Sequence, residues 1–176
     1  MSQLSTLNDL LIDELKDLYS AEKQLLKAIP KMQKGSNMPE LAEAFATHLK
    51  ETEGQVERLD QIGEMLDVRL GGKKCKGMEG VIEEGAEVLE DKGEESICDL
   101  AITGAACRVE HYEMAGYQSA ISLAQQLGHT DAVRLLQETL AQEQAADKKM
   151  RELASRLIKS ANTDHGGKQR VAAHQM

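Results

Sequence analysis

Apolar residues recur every three or four positions along four long stretches of the chain, the spacing that places them on one face of an α-helix. In the first stretch, about 4–34, they are Leu7, Leu11, Leu15, Leu18, Leu25 and Ile29. Pro30 lies inside it and is expected to kink or loosen the last turn, because proline lacks the backbone N–H and crowds the turn before it. A short turn follows at 35–38. Pro39 suits the first turn of a second helix, whose stripe of Leu41, Phe45, Leu49, Val56, Leu59, Ile62 and Leu66 predicts an end near Leu70. A third long helix is predicted over about 95–127. A fourth, over about 131–159, carries Val133, Leu136, Leu140, Met150, Leu153 and Leu157. Gly128 is placed to end the third, and Thr130 or Asp131 to cap the fourth.

The links between these stretches carry topology. The first and last are tight, so each joins antiparallel neighbours. The middle link, roughly 71–95, is long. It holds "GGKKCKG" at 71–77 and then a shorter amphipathic helix over 78–92 with Val81, Ile82, Val88 and Leu89, weakened by Gly80 and Gly85. A helix of about thirty residues is about 45 Å long, and this link can recross that length as a partly helical strap. Two antiparallel hairpins joined by one long crossover make an all-α, ferritin-like four-helix bundle, here with a short extra helix in the crossover; three short links would have made an up-down-up-down bundle. After Ser160 no stripe remains, so the expected organisation is a bundle over 1–160 and a disordered tail over 161–176.

Composition supports this picture and narrows the functions. The aromatic fraction is 2%, and Ala, Leu, Glu, Lys and Gln dominate, which are helix formers. At 176 residues the chain fits one domain. A net charge of −9 and a pI near 5.1 argue against nonspecific nucleic-acid binding. No run approaches a membrane span, and the N-terminal stretch acquires charges too early for a signal peptide. Three cysteines without paired spacing point to a reducing cytoplasm.

The chemistry lies in the gaps of the apolar stripes. Extending the first stripe reaches Glu22. Extending the third, through Leu100, Thr103, Cys107, Met114, Tyr117 and Ile121, reaches Glu110, with Glu113 one turn on. Extending the fourth reaches Glu143 and Asp147. Each gap falls near mid-helix, and a cluster of like charges in a low-dielectric interior calls for a cation. In the second helix Thr52 falls on the stripe's centre, with His48 and Glu51 on one flank and Gln55 following. Glu113 reads as a second ligand or a partner of a nearby cation, Asp147 as a ligand, an orienting acceptor or a solvated group, and His48 as a ligand or a supporting residue. Ferritin-like di-iron proteins take one Glu from each of two helices and Glu-x-x-His from each of the other two. Here helix 2 has the reversed order "HLKE", and Ala146 stands where Glu143 would expect its His.

The segments "LYSAEKQLLKAIPKM" (18–32), "HLKETEGQVERL" (48–59), "MEGVIEEGAEVLE" (78–90), "VEHYEMAGY" (109–117) and "LLQETLAQEQAADKKMRELA" (135–154) together resemble the YciF-like family of bacterial stress proteins, within the ferritin-like superfamily. The resemblance runs from about residue 5 to 158. It implies a homodimer, a role in stress responses and a carboxylate-rich di-metal site. Residue by residue it implies Glu22, Glu51, Glu110 and Glu143 as metal ligands, with His48, Glu113 and Asp147 completing or supporting the shells. Hard oxygen ligands suit Fe, Mn or Mg, and the di-metal site is expected to hold Fe or Mn. Two functions are expected to compete: a di-metal protein handling O2, peroxide or iron, with no residue pattern naming its electron donor, and a non-catalytic stress dimer that keeps a relict site.

Overall fold

Thr6 starts the first helix. Its Oγ1 accepts from the Asp9 N–H at 3.0 Å, and Asp9 Oδ2 accepts from the Thr6 N–H at 3.0 Å, a reciprocal cap that satisfies two backbone donors. Helix α1 is therefore Leu7–Gly35, three residues later in its start than Leu4, with Pro30 inside it as the stripe predicted. The computed structural model describes the backbone of residues 4–172 and the side chains of 4–161; among these residues there are helices and no strand.

Helix α2, Pro39–Met65, ends before the predicted Leu70. Asp67 takes a left-handed conformation (φ 53°), the Val68 N–H donates to the Gly63 carbonyl at 2.8 Å, and the Asp67 N–H donates to that of Glu64 at 3.2 Å. This pair of bonds is a Schellman stop. A Cβ on Gly63 would sit 2.8 Å from the Val68 carbonyl oxygen, so the stop needs glycine there. Leu70 is still buried, packing from the loop against Leu11 and Ile62 in one cluster. Helix α3 is Lys76–Glu90, capped by Cys75, and α4 is Glu95–Gln126. Gly128 ends α4 as expected, at φ 78°, with the His129 N–H bonded to the Ala124 carbonyl at 2.9 Å and the Gly128 N–H to that of Gln125 at 3.1 Å.

Helix α5 is Thr130–Ala172. Its cap is His129, whose carbonyl accepts from the Val133 N–H at 3.0 Å, in place of Thr130 or Asp131; the Schellman turn uses only two residues, so the helix begins one residue sooner. At its other end α5 extends past Lys159 to Ala172, where loss of the stripe predicted a disordered tail. Lengthening an existing helix adds a backbone bond per residue without a new nucleus, and no proline interrupts 161–172. The remainder of the expected tail, 173–176, lies outside the described residues.

The core clusters reveal the chain directions. Leu11, Leu59, Ala124 and Ala132 meet in one apolar cluster, and Ile29, Leu41, Ile102 and Leu153 in another. The first end of the bundle thus holds the start of α1, the end of α2, the end of α4 and the start of α5. So α1 and α5 run one way, and α2 and α4 the other. Packing of α1 on α2, α4 on α5, α1 on α4 and α2 on α5 closes the bundle. This is the ferritin-like topology that the link lengths predicted.

The crossover is clamped to α1. Lys73 Nζ donates to Asp13 Oδ2 at 2.8 Å and lies 3.3 Å from Asp17 Oδ1. The Cys75 thiol and the Tyr112 hydroxyl both bond Asp17 Oδ2, at 2.9 and 3.0 Å. From there α3 lies against α1 and α4. At the far end Asp99, almost fully buried, crosses from α4 to the entry of α2: Oδ1 accepts from the Asn37 N–H at 2.8 Å and Oδ2 from the Met38 N–H at 2.7 Å. Met38 offers no side-chain cap of its own. Asp99→Ala is expected to lower stability by about 0.5–2 kcal/mol, the cost of losing a side-chain cap at a helix entry; urea unfolding with an unchanged midpoint would contradict this role.

Candidate metal centre

Between the two apolar clusters lies a band of buried polar side chains: Glu22 from α1, His48, Thr52 and Gln55 from α2, Glu110 and Glu113 from α4, and Thr139 and Glu143 from α5. Each helix delivers them at the middle of its own stripe. The band interrupts each stripe at one depth, so apolar packing continues above and below it.

His48, Glu110, Glu113 and Glu143 each offer a ligand atom, and these atoms lie within 4.8 Å of one another. His48 Nε2 is 3.2 Å from Glu110 Oε1 and 4.0 Å from Glu143 Oε2. Glu22 is fully buried beside them, and its charge acts on Glu113. The Tyr117 hydroxyl donates to Glu22 Oε1, and the Gln55 amide donates to Glu143 Oε1.

Two of the expected residues sit at the margin. Glu51 is 31% exposed and reaches the site only through its Oε2, 3.6 Å from His48 Nδ1. Asp147 pairs with Arg151 Nε at 2.8 Å and with His111 Nε2 at 3.3 Å, on the outer side of α4 and α5. Burial pulls the Asp147 carboxyl up, but Arg151 and His111 outweigh it and hold the group below the usual aspartate range. Helix α2 is rotated relative to the expected stripe. Its inward line is His48, Thr52 and Gln55, with Leu49 only partly buried. Thr52 is central as expected, but its hydroxyl is spent on the His48 carbonyl at 3.0 Å.

The electrostatics are unbalanced. Burial, then the charge of Glu143, pushes the Glu22 carboxyl well above the ordinary glutamate range, despite the opposing bond from Tyr117. Burial and Glu143 do the same to Glu110. Burial followed by Glu22, Glu143 and Glu110 does the same to Glu113. The Tyr117 phenol is pushed up by burial and by Glu22. Arg58, the cation acting on Glu22, spends its Nη1 on Thr139 Oγ1 and Gln142 Oε1 at 3.1 and 3.0 Å.

The band also leaves acceptors unused. Glu22 Oε2, both His48 ring nitrogens, Glu110 Oε2, both Glu113 oxygens and Glu143 Oε2 are buried and make no hydrogen bond. Buried polar atoms are normally paired. Orphans that converge from four helices, all of them oxygen or imidazole nitrogen, are a donor set fit for a hard or borderline divalent cation. Gln55 and Tyr117, which orient Glu143 and Glu22, were visible in the sequence only as a polar residue after the α2 stripe and a tyrosine in the α4 stripe.

Residues 6–163 match the family described as Domain of unknown function (DUF892). The chain is 44% identical over 152 residues to Protein YciF of Escherichia coli K12, covering 86% of this chain and 92% of that one. The crystal structure of the E. coli stress protein YciF superposes with a TM-score of 0.86, covering 89% of this chain and 99% of that one, at 43% identity. YcfI of Rhodopseudomonas palustris, described as a candidate structural protein, superposes at 0.82 over 85% of this chain and 95% of that one, with 39% identity. A Xanthomonas campestris protein at 18% identity and a TM-score of 0.71, covering 92% of this chain and 99% of that one, shares the fold.

Proposed function

The chain belongs to the DUF892 family, and from that premise we propose that it is a ferritin-like stress-response protein that holds two iron or manganese ions in its core and handles O2, peroxide or iron. The observation that carries this reading is the set of orphaned acceptors between the two apolar clusters. Four buried carboxylates, Glu22, Glu110, Glu113 and Glu143, match the charge of two divalent ions. His48 supplies an imidazole from α2. Glu51 Oε2 stands 3.6 Å from the other ring nitrogen, at the rim, placed to serve as a ligand or, on closer approach, as an orienting acceptor, the common partner of a metal-bound histidine. Asp147, tied to Arg151, supports α5 beside Glu143 rather than facing the ions.

Iron(II) held by Glu22, His48, Glu110, Glu113 and Glu143 would supply an electron per ion to O2 or peroxide. The protein's own part is to place and protect. Tyr117 fixes Glu22 Oε1 through its hydroxyl and leaves Oε2 for coordination, and Gln55 does the same for Glu143. The apolar clusters above and below exclude water, which strengthens each electrostatic contact inside. The homodimer implied by the family resemblance is part of this proposal, and sedimentation equilibrium reads it as twice the 19.3 kDa chain mass.

Protein purified from iron-supplemented cells is expected to carry iron or manganese, lost in Glu110→Ala while helicity and solubility are kept. Metal below about one tenth of an equivalent, unchanged by anaerobic reconstitution, would end this reading. A second reading follows from Ala146, which stands where a di-iron site would place its helix-4 imidazole: a structural stress protein with a relict site, in keeping with the description of YcfI. If Glu22→Ala abolished an O2-dependent iron oxidation without loss of fold, that second reading would be wrong.

A further inference from the structure

We propose that a small apolar cavity walled by the crossover helix is a binding site for dioxygen, delivering it to the His48–Glu110 edge of the centre. The proposal deepens the metal reading and rests on it for its purpose, though not for its geometry. The cavity has a volume of about 30 Å³. Its walls come from α1 (Leu25, Ile29), α2 (Phe45), α3 (Val81, Ile82) and α4 (Ala106), and its polar boundary is His48 and Glu110. It therefore ends on two of the residues that meet at 3.2 Å inside the centre.

Size and lining select the ligand class. A cavity needs about 10–15 Å³ to hold one water, and a water there needs two to four polar partners. This one has room for a diatomic molecule but not for an organic substrate. Its walls are almost wholly apolar, so a hydrogen-bonding solute would lose more in leaving water than it regains. A small uncharged gas loses nothing. A second opening beside His48 is larger. It is a cleft of about 400 Å³ between α2 and α5, where Glu40, Glu43, Glu51 and Lys149 stand among three alanines and Met150. It carries charged groups at its mouth that the small cavity lacks.

The crossover helix gains a role beyond connection. Val81 and Ile82 form the cavity wall between α1 and α4, and α3 lies tight there: a Cβ on Gly85 would come within 2.5 Å of the Met32 terminal methyl. Without α3 this edge of the centre would open to solvent.

Xenon, an apolar probe of similar size, tests the site directly in pressurised crystals of the purified protein. The expected result is a xenon atom between Phe45, Ile82 and Ala106, absent in Ala106→Leu and in Ile82→Phe, which fill the space from opposite walls. Ile82 is only partly buried, so its variant is expected to fold even where Ala106→Leu does not. Either filled variant is expected to oxidise bound iron(II) with O2 about tenfold more slowly, while anaerobic iron(II) affinity stays within about twofold. No xenon in this cavity, ordered water in its place, or an O2 rate unmoved by both fillings would overturn the proposal. A protein that binds no iron(II) anaerobically would instead defeat the metal reading, with the xenon result still deciding the cavity.

Discussion

In metal-free protein, Glu113→Met is expected to raise the free energy of unfolding by about 1–3 kcal/mol, the penalty that a buried, unsatisfied polar group carries and an apolar residue of similar volume removes. Glu113 is fully buried, neither of its oxygens makes a hydrogen bond, and three other glutamates surround it. Methionine keeps an unbranched chain and removes both orphan acceptors. The same variant is expected to lose metal binding. Chemical denaturation in EDTA, alongside a metal titration, measures both effects. A stability gain coupled to a loss of binding is the signature of a site kept for function at a cost to folding. Unchanged or reduced stability in EDTA would mean that the buried carboxyl is already well accommodated, and would remove the main physical reason to place a cation there.

The second large effect is a reversal of pH dependence. Glu22, Glu110 and Glu113 are all held well above the ordinary glutamate value of 4.5 in the folded protein. The folded state therefore binds more protons than the unfolded one once the pH exceeds 4.5. Stability then falls as pH rises, by up to about 1.4 kcal/mol per pH unit for each extra proton retained. The stabilising contribution is fully present below 4.5 and is lost as the pH climbs through the folded values. Metal binding acts in the opposite sense, because the ions compete with those protons. Metal-free protein is expected to be more stable at pH 5.5 than at pH 7.5, and manganese(II) is expected to stabilise it more at pH 7.5 than at pH 5.5. Melting curves at the two pH values, with EDTA and with manganese, provide the check; parallel pH profiles in both conditions would rule out proton–metal exchange at this cluster.

Much of the frame was legible because it rests on local rules. Three- and four-residue spacing defined the long helices, and two tight links and one long link sufficed for the ferritin-like topology. Gly128 announced the end of α4 because a left-handed stop there favours glycine. The end of α2 was not legible: Leu66 and Leu70 continue the apolar pattern, yet Leu70 packs from a loop, and burial alone does not distinguish the two. Glu22, Glu110, Glu113 and Glu143 stood out as charges in apolar stripes.

Helix α2 marks where sequence reading stops. A stripe locates a helix face to within about a residue, and a residue is 100° of rotation at 3.6 per turn. That uncertainty separates His48 from Glu51. In the structure His48 turns into the centre and Glu51 stays at the rim, because α2 must fit α1 and α5 together while Gln55 meets Glu143. The chain alone carried helix number, direction and the depth of the carboxylate layer, all written in short-range periodicity. The rotation of each helix, the partners of each carboxylate and the cavity beneath α3 came from tertiary packing, since they depend on how side chains from four or more separate segments fill the same space.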